Sequence, residues 1–159
     1  MSTKELGVFK DSINKALFAD KDIITFLCGD TTGKKQSEVI VIYKKHVKSH
    51  LFVEDTLQDS DSYIFYDVTL PNVDSQIKQY VIYMYLVCSR NVIDDISNYA
   101  GYIGNRADLL AQLVEHALIL DEDVANKFGI GKLQLQSVDI YNAKDVCGRI
   151  LTFTGYAYR

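Results

Sequence analysis

The chain has no tryptophan, a single proline (Pro71) and no low-complexity stretch, and this composition argues against wholesale disorder. It also lacks any apolar run near the ~20 residues that a membrane span requires. The opening residues, Met1-Ser2-Thr3-Lys4-Glu5, start a polar amphipathic pattern and not a basic-then-apolar leader. Cysteine is scarce: Cys28, Cys88 and Cys147 are odd in number and far apart. That spacing excludes a disulfide framework, and the three are expected to be buried free thiols in a reducing compartment. No large excess of one charge sign exists either. The net charge is −4 and the pI is near 5.3, so composition gives no strong polyanion-binding signal. What remains, 48% hydrophobic and 24% charged residues in 159, is the make-up of one soluble, intracellular globular domain with a sizeable core.

Tyrosine is abundant, with 11 copies. Its apolar ring and polar tip suit wet interfaces. Simple β-propensity explains the same excess, and both readings stay open.

Ser2 with Glu5 has the form of a capping box, and Leu6, Phe9, Ile13 and Leu17 follow at helical spacing, which predicts a helix over 3–18. Residues 22–28 form a short apolar run, read as a helix capped by Asp22 in preference to a buried strand. The polar stretch 30–36 reads as loop. Residues 37–51 are ambiguous, because Val39 to Ile42 favour a strand while the nearby lysines and histidines look solvated. Strands are expected over 63–70, stopping at Pro71, and over 79–89. In the second, Val81, Tyr83, Tyr85 and Val87 share one face and Ile82, Met84, Leu86 and Cys88 the other, so a central strand covered on both sides is expected. A loop-rich stretch over 91–104 leads to a helix running to Leu120. After a Gly129-Ile130-Gly131 turn, the alternation over 132–141 predicts a strand with a bulge near Ser137. A loop over 142–148 and a last strand over 149–158 complete the chain. The order implies an α+β fold: a mostly antiparallel sheet of about four strands, with a long helix packed on it and an N-terminal helix. Residues 1–60 would form a helical, loop-rich N-terminal part and 61–159 the sheet-plus-helix core of a single domain.

No motif carries catalysis. Gly29-Asp30-Thr31-Thr32-Gly33-Lys34-Lys35 has three residues between its glycines where a phosphate loop needs four, and Lys35 replaces the metal-binding hydroxyl residue. His46 and His50 are four apart, as zinc ligands can be. No Glu or Cys joins them at ligand spacing, and Lys44, Lys45 and Lys48 would repel a cation, so a solvated surface is expected. The cluster over 43–48 is the one basic patch, read as a solvated face in preference to a nucleic-acid contact. No nucleophile or general base stands out, and no cofactor or metal is expected.

Several short motifs resemble a known family. Gly101-Tyr102-Ile103-Gly104-Asn105-Arg106-Ala107-Asp108-Leu109-Leu110-Ala111 resembles the start of the main helix in small head–tail connector, or tail-terminator, proteins of tailed bacteriophages. Phe128-Gly129-Ile130-Gly131-Lys132-Leu133 resembles that family's turn and following strand, and Gly148-Arg149-Ile150-Leu151-Thr152-Phe153 its last strand. Tyr63 to Val68 and Tyr83 to Cys88 fall where the family has its first two strands. The resemblance covers roughly residues 43–159; Asn105 departs from the expected threonine, and residues 20–42 have no counterpart.

The resemblance implies a non-enzymatic virion protein of the neck or tail end, assembled in the host cytoplasm. It implies a closed ring, commonly of six copies, that caps the tail tube and joins it to the head-side connector. Sheath proteins are further candidate neighbours. DNA would pass through without sequence-specific binding, and no membrane is involved. Arg106, Tyr83 and Tyr85 are then candidate subunit-interface residues. Asp94, Asp95, Asp121, Glu122 and Asp123 are candidate channel or rim charges, which would keep DNA from sticking. An alternative is an intracellular adaptor that binds another protein through its sheet. A nucleotide- or nucleic-acid-dependent enzyme using the Gly29–Lys35 loop is a third.

Overall fold

Phe9, Ile13, Ala16 and Leu17 line the buried stripe of α1 (Lys4–Ala19) in the computed structural model, which describes residues 3–51, 61–71, 77–96, 101–120 and 133–158. Thr3 occupies the N-cap without a side-chain bond, and Ser2 lies outside the described residues. The next run is indeed a helix, α2 (Lys21–Cys28), but its cap is Asp20 and not Asp22. The Asp20 carboxylate accepts from the backbone N–H groups of Asp22 (2.9 Å) and Ile23 (3.1 Å), donors the first turn leaves without partners.

The ambiguous stretch resolves as a helix, α3 (Gln36–His46), against the β-branched run at its centre. Val39, Tyr43 and His46 fall on one stripe and are buried, while Val41 is 57% exposed. Packing against α2 and α1 overrides propensity here. Tyr43 donates to Asn14 Oδ1 at 3.0 Å and so ties α3 to α1. His46, expected at a solvated surface, is buried: its Nδ1 is 2.9 Å from the Ser62 carbonyl oxygen and its ring stacks on Tyr63.

The sheet has five strands in the order β1-β2-β3-β5-β4. They are β1 (Val47–Lys48), β2 (Ser62–Thr69), β3 (Ile77–Ser89), β4 (Gln134–Asn142) and β5 (Val146–Tyr158). The two-residue β1 pairs parallel with β2 and all other pairings are antiparallel. The fold is therefore α+β, as the element order implied, with one strand more than expected. A bulge between Leu135 and Ser137 falls where the alternation of β4 breaks. The connection to β5 is shorter than expected, because Arg90 donates to the Ala143 and Lys144 carbonyls and holds a tight loop.

A short 3-10 turn (Arg90–Val92) follows β3. The helix after it, α4 (Arg106–Glu115), begins at an Asn105–Asp108 capping box, with reciprocal bonds of 3.0 Å each way. It does not continue as α-helix to Leu120, but widens into a π turn over His116–Leu120. Helices α1 and α3 lie over β1 and β2, α4 lies over β3 and β5, and α2 packs between α3 and α4. Ile82, Met84 and Leu86 of β3 and Leu151 and Phe153 of β5 point into this helical layer and are buried.

The opposite face of β3 is only partly covered, unlike the expectation. Val81 and Val87 are buried and Tyr85 is half-buried, whereas Tyr83 is 36% exposed. A small second core of Tyr63, Phe65, Val87 and Val146 forms at one end of this face, with Tyr85 and Tyr141 against it. Of the cysteines only Cys88 is fully buried; Cys28 and Cys147 are half-buried, and all three are free.

Candidate functional site

Arg106 enters at the first position of α4, and four elements converge on it. Its Nε donates to Ser62 Oγ at 2.9 Å, and its terminal nitrogens reach the Asp95 carbonyl (3.3 Å) and the Phe26 carbonyl (3.4 Å). The guanidinium carbon lies 4.2 Å from the centre of the Phe26 ring, a cation–π geometry. The side chain thus joins the end of α2, the start of β2 and the segment before α4. The resemblance made Arg106 a candidate subunit-interface residue; what the structure shows around it is an intrachain set of carbonyls, a hydroxyl and an aromatic face.

Arg106 forms one wall of an open recess of about 550 Å³ with Thr25, Phe26, Asp95 and residues 29–32. The recess brings together Arg106, Asp95 and the glycine loop. It does not make a phosphate cradle. Gly29, at φ 75°, ends α2, and its N–H bonds to the Thr25 carbonyl. The N–H of Thr32 bonds to Asp30 Oδ1 (2.9 Å), that of Lys34 to the Thr31 carbonyl (3.0 Å) and that of Lys35 to Glu38 Oε2 (3.3 Å). These donors are already taken up by the loop's own turns. Thr32 bonds also hold the exposed Asp30 carboxyl below its ordinary range, so it stays anionic beside the recess.

The expected interface residues do not form one surface. Arg106 bonds to Ser62, on the helix-covered side of β2, while Tyr83 and Tyr85 lie on the other side of the sheet. Tyr85 packs on Tyr141, ring centres 5.3 Å apart. Asp94 and Asp95 are exposed just after the 3-10 turn. Asp121, Glu122 and Asp123, the Gly129-Ile130-Gly131 turn and Lys132 lie outside the described residues. His50 is exposed, and among the described residues no cluster of three or more His, Cys, Asp or Glu could hold a metal. No helix is long and apolar enough to cross a membrane among those residues.

Two surface features escaped the sequence reading. On β4, Val138 (53% exposed) and Ile140 (70%) face the helical side of the sheet, beyond the cover of α4. Their alternation was legible, but which strand would be the edge was not. The second is a pair of recesses of opposite charge in the helical layer. One is a groove of about 470 Å³ between α1 and α3, bordered by Lys15, Lys44, Lys48 and His50. The other, about 320 Å³ between α2 and α4, is bordered by Asp20, Asp22, Glu115 and His116.

Arg149 anchors β5 to α4. Its Nε lies 2.8 Å from Asp108 Oδ1, both half-buried. Burial alone would raise the Asp108 carboxyl, but the Asn105 N–H and Arg149 outweigh it and hold the group below its ordinary value. The resembling segments that carry Arg106, Asp108 and Arg149 thus meet physically at one junction of α4 with β2 and β5.

No curated protein matches the chain. A family model does: YomW, a phage-derived, Bacillus prophage-type family, matches residues 13–154, which takes in α2, α3, α4 and β1 to β4 whole and α1 and β5 in part. The chain therefore belongs to the YomW family and is a phage-related protein.

Proposed function

We propose that the chain is a ring-forming structural protein of the phage neck or tail end, of the tail-terminator or head–tail connector kind. The observation that carries this reading is the β4 edge. This strand is nine residues long, pairs only with β5 among the described residues, and contains neither Lys nor Pro. Monomeric proteins blunt such edges with charge, proline or bulges. Here a bulge disturbs one end and Asp139 places a single charge on the strand, while Val138 and Ile140 on either side of it are exposed. The other edge of the sheet, β1, is only two residues long and quite different in character. Two unlike edges suit heterologous contacts, which close into a ring when the rotation permits.

Membership of a phage-related family and the resemblance of residues 101–111 and 148–153 to tail-terminator segments support the same reading. In it the protein does no chemistry. Copies cap the tail tube, meet the head-side connector and leave a passage for DNA within the virion. Asp94 and Asp95 are candidates for the charge that faces this passage.

Light scattering over a concentration series, followed by negative-stain imaging, tests the proposal. A ring of several copies, or a monomer that forms rings on adding tail tube, is the expected result. A monomer at every concentration that joins neither tube nor connector would overturn it and favour the adaptor reading.

A further inference from the structure

The two charged recesses fit each other. In the α1–α3 groove the one carboxylate among the described residues, Asp11, is taken up by Lys15 at 2.8 Å. Lys44 and Lys48 make no ion pair among the described residues. In the α2–α4 recess the only basic group among the described residues is His116, whose Nδ1 is 3.9 Å from Asp20 Oδ2. Asp20 also caps α2, and Asp22 and Glu115 have no ion-pair partner among the described residues. Each recess has an apolar part as well: Phe18, Ile40 and Val47 in the groove, Tyr102 and Leu113 in the other.

Their placement matters as much as their sign. The groove lies over β1 and β2, whereas α4, which forms one wall of the acidic recess, lies over β3 and β5. The two recesses are therefore separate openings in the helical layer, their nearest margins at Phe18 and Asp20. Two copies meeting groove to groove would set lysine against lysine, and like charges across an interface cost several kcal/mol. Groove against recess pairs the signs, and in a ring that contact repeats head-to-tail.

We infer that a second copy of this chain docks in the groove between α1 and α3, presenting to it the acidic recess between α2 and α4. The inference rests on the ring reading and names its contact. Lys44 and Lys48 of one copy face Asp22 and Glu115 of the next. The repeat is directional, so every copy uses both surfaces once in a closed ring. Surface pairs of this kind are screened by salt, and assembly weakens as ionic strength rises.

The test uses the full chain and two double variants, Lys44→Glu with Lys48→Glu and Asp22→Lys with Glu115→Lys. Lys44 and Asp22 are exposed and Lys48 and Glu115 half-exposed, so thermal melts of the variants stay close to wild type. Each double variant alone is expected to need at least about tenfold more protein for half-assembly. Mixed together, they assemble again as alternating copies, because the reversed charges of one variant's groove meet the reversed charges of the other's recess while the unaltered groove and recess pair as before. Wild-type rings that ignore both reversals would overturn the inference and leave the ring reading standing. A wild type that stays monomeric at every concentration and forms no ring on adding tail tube or connector overturns both. If poly-glutamate binds the wild type and not the groove variant while the mass of both is unchanged, the groove belongs to a different acidic protein, and the inference again falls.

Discussion

Gly148 cannot carry even a methyl group in this sheet. A Cβ built there would lie 1.7 Å from the Leu86 carbonyl oxygen, 2.8 Å from its carbon and 3.2 Å from Val87 Cα. All three atoms are backbone of the central strand, so no side-chain rotation relieves the clash. β5 must move away from β3 by more than an ångström at this point. A ladder bond stretched that far is lost, and two such bonds at about 1 kcal/mol each, added to the overpacking cost of about 1–3 kcal/mol, place Gly148→Ala near 3–5 kcal/mol destabilising. With a shift of about 2–4 °C per kcal/mol for a domain this size, the melting temperature should drop by about 6–20 °C. Circular dichroism melts and urea titrations of wild type and variant measure it. A variant within about 0.5 kcal/mol of wild type, the range of an ordinary surface substitution, would refute the reasoning and show that β5 approaches β3 less closely than described.

Arg106→Ala should destabilise the monomer by about 2 kcal/mol, because its bonds to carbonyls and a hydroxyl are partly solvated and the stacking on Phe26 adds about 0.5–1 kcal/mol. Arg106→Lys should recover little of this, since an ammonium cannot span Ser62, Asp95 and Phe26 together; chemical denaturation of all three proteins decides. Asp108 has a depressed folded value, so its contribution is fully present above its unfolded value near pH 4 and is lost as pH falls through the folded one. Asp108→Asn should therefore be less stable than wild type at pH 7, with the gap between the two narrowing towards pH 2, as read from melts across that range. Burial pushes the Cys88 thiol up to about 11. In native protein at pH 8 it should resist alkylation and label only after unfolding, as peptide mass spectrometry would show.

The strands of the second half were legible because their alternation and turns are local. β4 announces its bulge where polar residues break the period at Gln136-Ser137, and the short apolar run of α2 ends at a glycine. α3 was not legible: Val39-Ile40-Val41-Ile42 has strand propensity, and only the burial of Val39 and Tyr43 among the helices and of His46 against β2 makes it a helix. β1 is too short to leave a pattern at all. Arg106 stood out as an interface candidate, but its partners at 26, 62 and 95 are distant in sequence, so nothing local showed that it binds its own chain. The basic cluster over 43–48 was visible as composition. Its division into a buried Tyr43 and His46 beside outward lysines needed the helix phase, and its acidic counterpart draws on two helices that no linear motif joins.

β3 lies between β2, which precedes it closely, and β5, whose register runs from Ile77↔Tyr158 to Ser89↔Val146. During synthesis the β2–β3 hairpin emerges with one long apolar strand edge open, and that edge waits for the last strand to leave the ribosome. Non-local closure of this kind slows folding and leaves a sticky intermediate while it lasts. Host chaperones that shield nascent apolar edges should therefore raise the yield of this protein more than that of a helical bundle of equal length. Translation stalled before β5 should yield insoluble chain, whatever the oligomeric state of the finished protein.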